Sequence, residues 1–436
     1  MLRSPCVAFC PSPCNFNLHP VRKSFRRFQP WRSKVTFQPI VGMRSDADVN
    51  ASLTSGTVTG TASAAAGFAS LALLPHGSLI SSYSDVCGGT WPGPTQLPVV
   101  YHPSYNISFF GIEKLHPFDS CKYSKVVSAL KNQGVLSDGQ TVLPRAASME
   151  VLADVHTQDY LYKIHHHNFT IVQVTELAAL SLIPNKLLQW RIVTPMKFHV
   201  GGTILATGLA LERGWAINLG GGMHHASASH GMGWCPFDDI VLAVRRVRKA
   251  AGRKMVVLFI DLDAHQGNGV ERDKLHLPVE DLHIVDFYNA HIFPKDDEAK
   301  PAIDIAVELR SGAEDDEILG RLHAALAVAA ATLPRPDLVI YNAGTDVLAG
   351  DQLGRLGMSA GGVVQRDETV WRWCRDVARA PIVMTLSGGY TRESAGVITA
   401  SIRNLFEKFN LAKDIAMDSG SSGSSGSKTM AEAPGP

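Results

Sequence analysis

The 436-residue sequence predicts a single α/β domain, a mostly parallel central sheet flanked by helices, with its active site at the carboxyl ends of the strands. Two observations carry that prediction. Between about Pro98 and Leu411, short apolar runs alternate with longer amphipathic stretches, and four of the runs empty directly into turns rich in Gly, His or Asp. Alternating strand and helix builds a parallel sheet covered on both faces. Ligand sites in such sheets lie beyond the carboxyl ends of the strands.

The predicted strands are Trp215–Leu219, Met255–Ile260, Leu282–Val285, Ile303–Val307, Leu338–Tyr341 and Ile382–Leu386, several of them rich in β-branched residues. The predicted helices are Asp238–Ala251, Asp315–Thr332, Gly361–Ala378 and Glu393–Phe409, with apolar residues at three-to-four spacing. Residues 93–412 are assigned to this domain. Residues 1–92 are rich in Ser, Pro, Gly and Ala with little periodicity and are expected to form an unfolded leader. Residues 413–436, with the run SGSSGSSGS, are expected to be a flexible low-complexity tail.

Hydrophobic residues make up 45% of the chain and charged residues 19%, enough for a large buried core. Lys+Arg (41) balance Asp+Glu (40), so the chain is not a polycation built to coat nucleic acid, and no direct nucleic-acid site is evident. The average hides an asymmetry. Residues 1–45 hold eight basic side chains and no acid before Asp46, which leaves 33 basic against 40 acidic residues, or −7, for the rest. A basic, hydroxylated, acid-poor leader reads as a transit peptide for a plastid or mitochondrion. No apolar run reaches the roughly 18 residues a membrane span needs. Seven cysteines, three of them (Cys6, Cys10, Cys14) in the leader, do not make a disulfide framework and point to a reducing compartment.

The four strand-end turns are WAINLGGGMHHASASHG, VVLFIDLDAHQGNG, LVIYNAGTDVLAGD and IVMTLSGGY. In the second, Asp263 and His265 stand two apart at a strand end and can share one cation, with Asp261 as support; Asp346, ending another strand, is the third candidate ligand. Two carboxylates and one imidazole leave a coordination position open, the arrangement of a catalytic zinc site. Tandem His224 and His225 follow three glycines and can act as general base and acid. Tyr390, after Gly388 and Gly389, can place its hydroxyl on a developing oxyanion. Trp234 and Met223, beside glycines such as Gly233, read as walls of a narrow apolar channel suited to the alkyl stem of a lysine-like substrate. Each feature alone has a plainer reading as a loop cap, a satisfied buried histidine or a packing aromatic. Together the four loops favour chemistry. Cys235 is read as a packing residue, and His165–His167 as a solvated surface.

The ordered set GGGMHH, DLDAHQGNG, YNAGTDVLAGDQLG and LSGGY resembles the zinc-dependent histone deacetylase family, within the arginase-like deacetylase superfamily. The runs VYHPSYNISFFGIEKLHPFD, RGWAINLGGGMHH, DFYNAHIFP and VELRSGAEDDE are most similar to the class IV branch. The resemblance covers about Pro98 to Leu411. It implies Asp263, His265 and Asp346 as ligands of one Zn2+ per chain, Tyr390 as the transition-state donor, His225 as general base and acid, and His224 as its electrostatic partner with Asp261 behind it. Asn268 stands where class I members have a second aspartate, and Trp234 replaces the phenylalanine usual in the family's channel wall. The implied channel comprises Gly233, Trp234, Met223, Gly388 and Gly389. A monovalent cation such as K+ is implied near Asp261, Asp263, His265, Asp286 and Phe287.

The implied reaction is hydrolysis of the side-chain amide of acetyl-lysine, or of a longer acyl-lysine, in histones or other proteins, with chromatin-associated complexes as partners. The resemblance points to nucleus or cytosol, whereas the leader points to an organelle. Two other functions fit the same residues: an acetylpolyamine-type small-molecule amidohydrolase and a non-catalytic acyl-lysine binding scaffold.

Overall fold

The computed structural model describes residues 67–412 apart from 89, 90, 94 and 110. The basic segment 1–45 and the tail expected over 413–436 lie outside the described residues. Among the described residues seven strands, all parallel, form one sheet in the order β1-β2-β7-β6-β3-β4-β5. They are β1 Val99–Val100, β2 Trp215–Asn218, β3 Val257–Asp261, β4 Leu282–Asn289, β5 Ile305–Leu309, β6 Leu338–Asn342 and β7 Ile382–Thr385. The first helices are α1 His76–Cys87, α2 Lys122–Asn132, α3 Met149–Leu152, α4 Gln158–His166, α5 Asn168–Thr175, α6 Asn185–Leu188 and α7 Thr194–Arg213. The rest are α8 Asp239–Ala251, α9 Asn268–His276, α10 Asp315–Thr332, α11 Ala360–Trp373 and α12 Ser394–Phe409.

Alternate residues along each inner strand enter opposite cores, as the pleat requires. Val257 and Phe259 of β3 join Ala216, Ile340 and Val383 on one face, packed under α1, α7 and α8. Leu258 and Ile260 join Trp215, Val339, Tyr341 and Met384 on the other, under α2, α10, α11 and α12. Burial on both faces explains why these strands read as continuous apolar runs.

All six predicted strands and all four predicted helices are present. β1 was not predicted, because two residues carry no periodicity. α7 was not predicted because it is buried almost all round, Gly201, Gly202 and Gly208 included, so it has no polar face to set a 3.6-residue period. A β-carbon on Gly202 would lie 1.8 Å from the Tyr105 hydroxyl, which donates to Asn218 Oδ1 at 2.8 Å; glycine is what lets α7 approach β2 this closely.

The leader boundary at residue 92 needs correction. Phe68, Leu79, Tyr83 and Val86 are fully buried, α1 packs on α7 and α8, and Arg246 forks onto Asp85 at 2.6 and 2.8 Å. Trp91 donates its indole N–H to Glu212 at 2.8 Å. The folded domain therefore includes residues from Phe68 onward.

Candidate active site

The four chemical loops follow β2, β7, β6 and β3, which are neighbours in that order, so the sheet brings together residues distant in sequence. One ligand atom each from Asp263, His265 and Asp346 lies within 4.8 Å of the others, and all three residues are buried. Asp263 and His265 are not strand residues. β3 ends at Asp261, and the bend after it makes the convergence.

The triad is held by bonds from its surroundings and by bonds among its own members. Asp263 Oδ2 accepts from the Ser387 hydroxyl and the Gly388 N–H, both at 2.9 Å. Asp346 Oδ1 accepts from Ala264 N at 2.9 Å. His265 Nδ1 stands 2.8 Å from Asp346 Oδ2 and 3.1 Å from Asp263 Oδ1. A β-carbon on Gly388 would fall 2.6 Å from Asp263 Oδ2, so the loop after β7 needs glycine to close over the carboxylates.

Burial disfavours a charged His265, yet its hydrogen bonds to Asp263 and Asp346 outweigh it and raise its pKa to about 10. Burial and the Asp263 charge raise Asp346 to about 7. Burial opposes ionisation of Asp263 too, but the His224 charge and the His265 bond hold it well below the usual carboxylate range. A positive charge is thus demanded between the carboxylates. Two carboxylate oxygens and an imidazole nitrogen suit zinc; calcium would call for six or more oxygens.

The adjacent histidines are driven apart in charge. Burial lowers the His224 pKa, but Asp261, 2.7 Å from its Nδ1, and Asp263 raise it to about 9. His225 has burial and two neighbouring imidazoles against it, and falls well below its ordinary value. Its Nδ1 lies 2.9 Å from Asn268 Oδ1, which fixes the proton there and leaves Nε2 as the acceptor facing the cavity. Paired groups with pKa values pushed apart are the pattern of an acid–base site.

Sequence reasoning missed what stands behind Asn268. Its Nδ2 donates to Asp296 at 3.0 Å, and Arg272 forks onto the same carboxylate at 2.6 and 2.7 Å. Asn268 and Arg272 are four apart on α9, a spacing that places them on one face. Also missed was Lys122, fully buried, whose ammonium donates to Ser387 O and Gly388 O and so ties α2 to the loop carrying Tyr390. Burial lowers its pKa to about 8 against the pull of Asp346 and Asp263. The triple-glycine turn is held by His199 Nδ1, which accepts from Gly221 N, and by Asp239, which accepts from Gly222 N and Met223 N.

Tyr390 lines the cavity with its hydroxyl unbonded among the described residues, and burial raises its pKa well above the usual phenol. Gly233, Trp234, Met223 and Gly388 line the same cavity. Gly389 does not. It lies behind the wall, where a β-carbon would meet Thr345 Oγ1 at 2.2 Å. Phe118 and Phe293 complete the channel and were not predicted: Phe118 stands 5.2 Å from Trp234, and Phe293 5.1 Å from His225, ring to ring. Cys235 is buried with its thiol pKa pushed far up, in keeping with a packing role. Asp286 pairs with Asp261 in register, accepts from Gly267 N and forms a buried carboxyl pair with Glu271, and burial together with the Asp261 charge raises its pKa well above the usual carboxylate range.

A family profile for the histone deacetylase domain matches residues 116–405. The chain belongs to the histone deacetylase family. It is 46% identical over 314 residues to histone deacetylase 2 of Arabidopsis thaliana, an alignment covering 71% of this chain and 79% of that one. Over 297 residues it is 32% identical to an uncharacterized protein of Picosynechococcus sp., covering 68% of this chain and 92% of the relative. Its fold is similar to the crystal structure of the HDA15 HD domain, with a TM-score of 0.55 at 20% identity over 74% of this chain and 93% of that one. The deacetylase family is one of hydrolases, and the fold expected from the sequence is the fold observed. No helix among the described residues is long and apolar enough to cross a membrane.

Proposed function

We propose that this histone deacetylase family member is a zinc-dependent protein-lysine deacylase of the class IV-like branch. The observation that carries the reading is the convergence of Asp263, His265 and Asp346 beside a neutral histidine and an unbonded phenol on one narrow cavity. A zinc ion held by the three residues would supply Lewis-acid polarisation of an amide carbonyl and lower the pKa of a water molecule.

The chain's own residues do the rest. His225 Nε2 takes the proton of the attacking water. Tyr390, kept protonated by burial, donates its hydroxyl to the oxyanion formed at the carbonyl. His224, cationic against Asp261, stabilises the negative charge that builds beside it. Protonated His225 then gives its proton to the departing lysine nitrogen, and the products are a carboxylate and a free lysine. Trp234, Phe118 and Phe293 enclose the lysine stem and exclude water. A monovalent cation, K+ in this reading, would sit near Asp261, Asp286 and the backbone of Phe287, where Asp261 and Asp286 are neighbours across two strands.

A purified full-length chain should bind about one zinc and release lysine from acetyl-lysine or longer acyl-lysine peptides. Asp346→Asn should lose metal and turnover together. Full activity in the zinc-free Asp346→Asn variant would remove the reading. Transport to an organelle by the basic leader belongs to the same proposal, and a fluorescent fusion of residues 1–66 tests it; nuclear or diffuse signal would discard it.

A further inference from the structure

The mouth above the triad is walled by two loops that carry charge where the backbone favours glycine. Lys295 and Arg355 both sit at φ +55°, in the left-handed region that a β-carbon opposes. Lys295 follows β4, Arg355 lies in the loop after β6, and both line the pocket that holds His225, His265 and Tyr390. A bulky side chain kept in a strained conformation at a functional mouth is a reason to look for what it contacts.

Neither cation is neutralised. Among the described residues no carboxylate stands within 4.0 Å of Lys295 or Arg355, whereas the nearby Arg272, Lys274, Lys300 and Arg321 each pair with an acid. The acids beside Lys295 are engaged elsewhere: Asp296 with Arg272 and Asn268, Asp297 with Lys300. Among the described residues the only acid lining the pocket is Glu176, 3.5 Å from His116.

The charges are held in place by their loops. Asn289 donates to Gly354 O at 3.0 Å, tying the two loops together, and Gly312 N donates to Arg355 O at 2.8 Å. Asp351 accepts from Gly354 N and Tyr390 N, joining this rim to the tyrosine loop. Beyond its first 45 residues the chain carries a net −7, so a cationic wall here is a local feature against an acidic background.

Resting on the deacylase reading, we infer that Lys295 and Arg355 form a specificity wall that selects acyl-lysine substrates with a carboxylate beside the modified lysine. That carboxylate is either an Asp or Glu within about two positions or the α-carboxylate of a chain-terminal acyl-lysine. The wall acts on binding, so it lowers KM and leaves kcat unchanged.

The test uses the full chain and a set of acyl-lysine peptides alike except for acidic, neutral or basic flanks, plus a peptide ending in acyl-lysine with its carboxyl free or amidated. At low salt the acidic-flank peptide should show a KM roughly 3- to 10-fold below the neutral one, the range expected of exposed charge pairs. The advantage should fade near 0.5 M salt. It should vanish in the Lys295→Gly, Arg355→Gly double variant, which keeps the neutral-peptide rate and, with strain relieved, the melting temperature. A gain on the free-carboxyl peptide alone would assign the wall to chain ends. Equal KM values across all flanks, or a preference that survives the double variant, overturns the inference. If no peptide turns over, the deacylase reading fails, and fluorescence anisotropy with the same peptides still judges the wall: equal binding overturns it.

Discussion

His225 Nδ1 and Asn268 Oδ1 are 2.9 Å apart, and the same amide passes its Nδ2–H to Asp296. The histidine that faces the cavity is therefore backed by a neutral amide, with the carboxylate one residue further away. Burial and the neighbouring His224 and His265 keep His225 unprotonated against the Asn268 bond, where a direct carboxylate would raise its pKa further, as Asp261 does for His224.

Replacing the amide should reverse that difference. Asn268→Asp puts a carboxylate on His225 Nδ1 and removes the bond to Asp296. The acid limb of the kcat/KM profile should move up by about one pH unit or more. An unmoved acid limb would show that Asn268 does not set the charge of His225.

Tyr390→Phe should keep zinc and lose turnover by roughly 10²-fold or more, the loss typical of one oxyanion donor. Zinc content and kcat on an acyl-lysine peptide measure both halves. A variant as fast as the wild type would dismiss the tyrosine from the mechanism.

Truncation should locate the start of the domain. A chain beginning at residue 92 loses Phe68, Leu79, Tyr83 and Val86, each fully buried and each contributing about 1.5–3 kcal/mol. That sum approaches the roughly 5–15 kcal/mol of a whole domain. Thermal denaturation should find the chain starting at residue 67 stable and the chain starting at 92 unfolded or insoluble; equal melting temperatures would refute the packing role of α1.

Asp238 and Asp273 form a buried carboxyl pair that shares a proton, their Oδ2 atoms lacking any other partner. Burial, and then the charge of Asp273, raises Asp238 well above its ordinary value, and burial raises Asp273 to about 6. The folded state thus keeps a proton that the unfolded chain releases near pH 4. Between about pH 4 and 6 the folded state binds more protons, so this pair makes stability fall as pH rises. Asp273→Asn keeps the bonding pattern without the charge and should add about 1–3 kcal/mol at pH 8. Denaturant unfolding at pH 5 and 8 would show it; an unchanged pH dependence would contradict the shared proton.

The sheet was legible because both its faces are buried, and every inner strand shows a continuous apolar run. The triad was legible because strand ends focus polar residues. α7 was hidden by the absence of a polar face. α1 was hidden by the Ser-rich composition around it, although Leu79, Tyr83 and Val86 are spaced by four and three and mark one helical face. Lys122, His199 and Asp296 were invisible for another reason: they act from elements far from the motifs, and only the packing of α2, α7 and the loop after β4 brings them to the site.

The most direct measurement of the central claim is release of lysine from acetyl-lysine and long-chain acyl-lysine peptides by the full chain, stripped of metal and then given zinc, beside His225→Ala. The account predicts turnover that disappears on chelation, returns with about one zinc per chain, and is nearly abolished in His225→Ala while zinc still binds. Turnover that persists without metal, or a His225→Ala variant as active as the wild type, would contradict it.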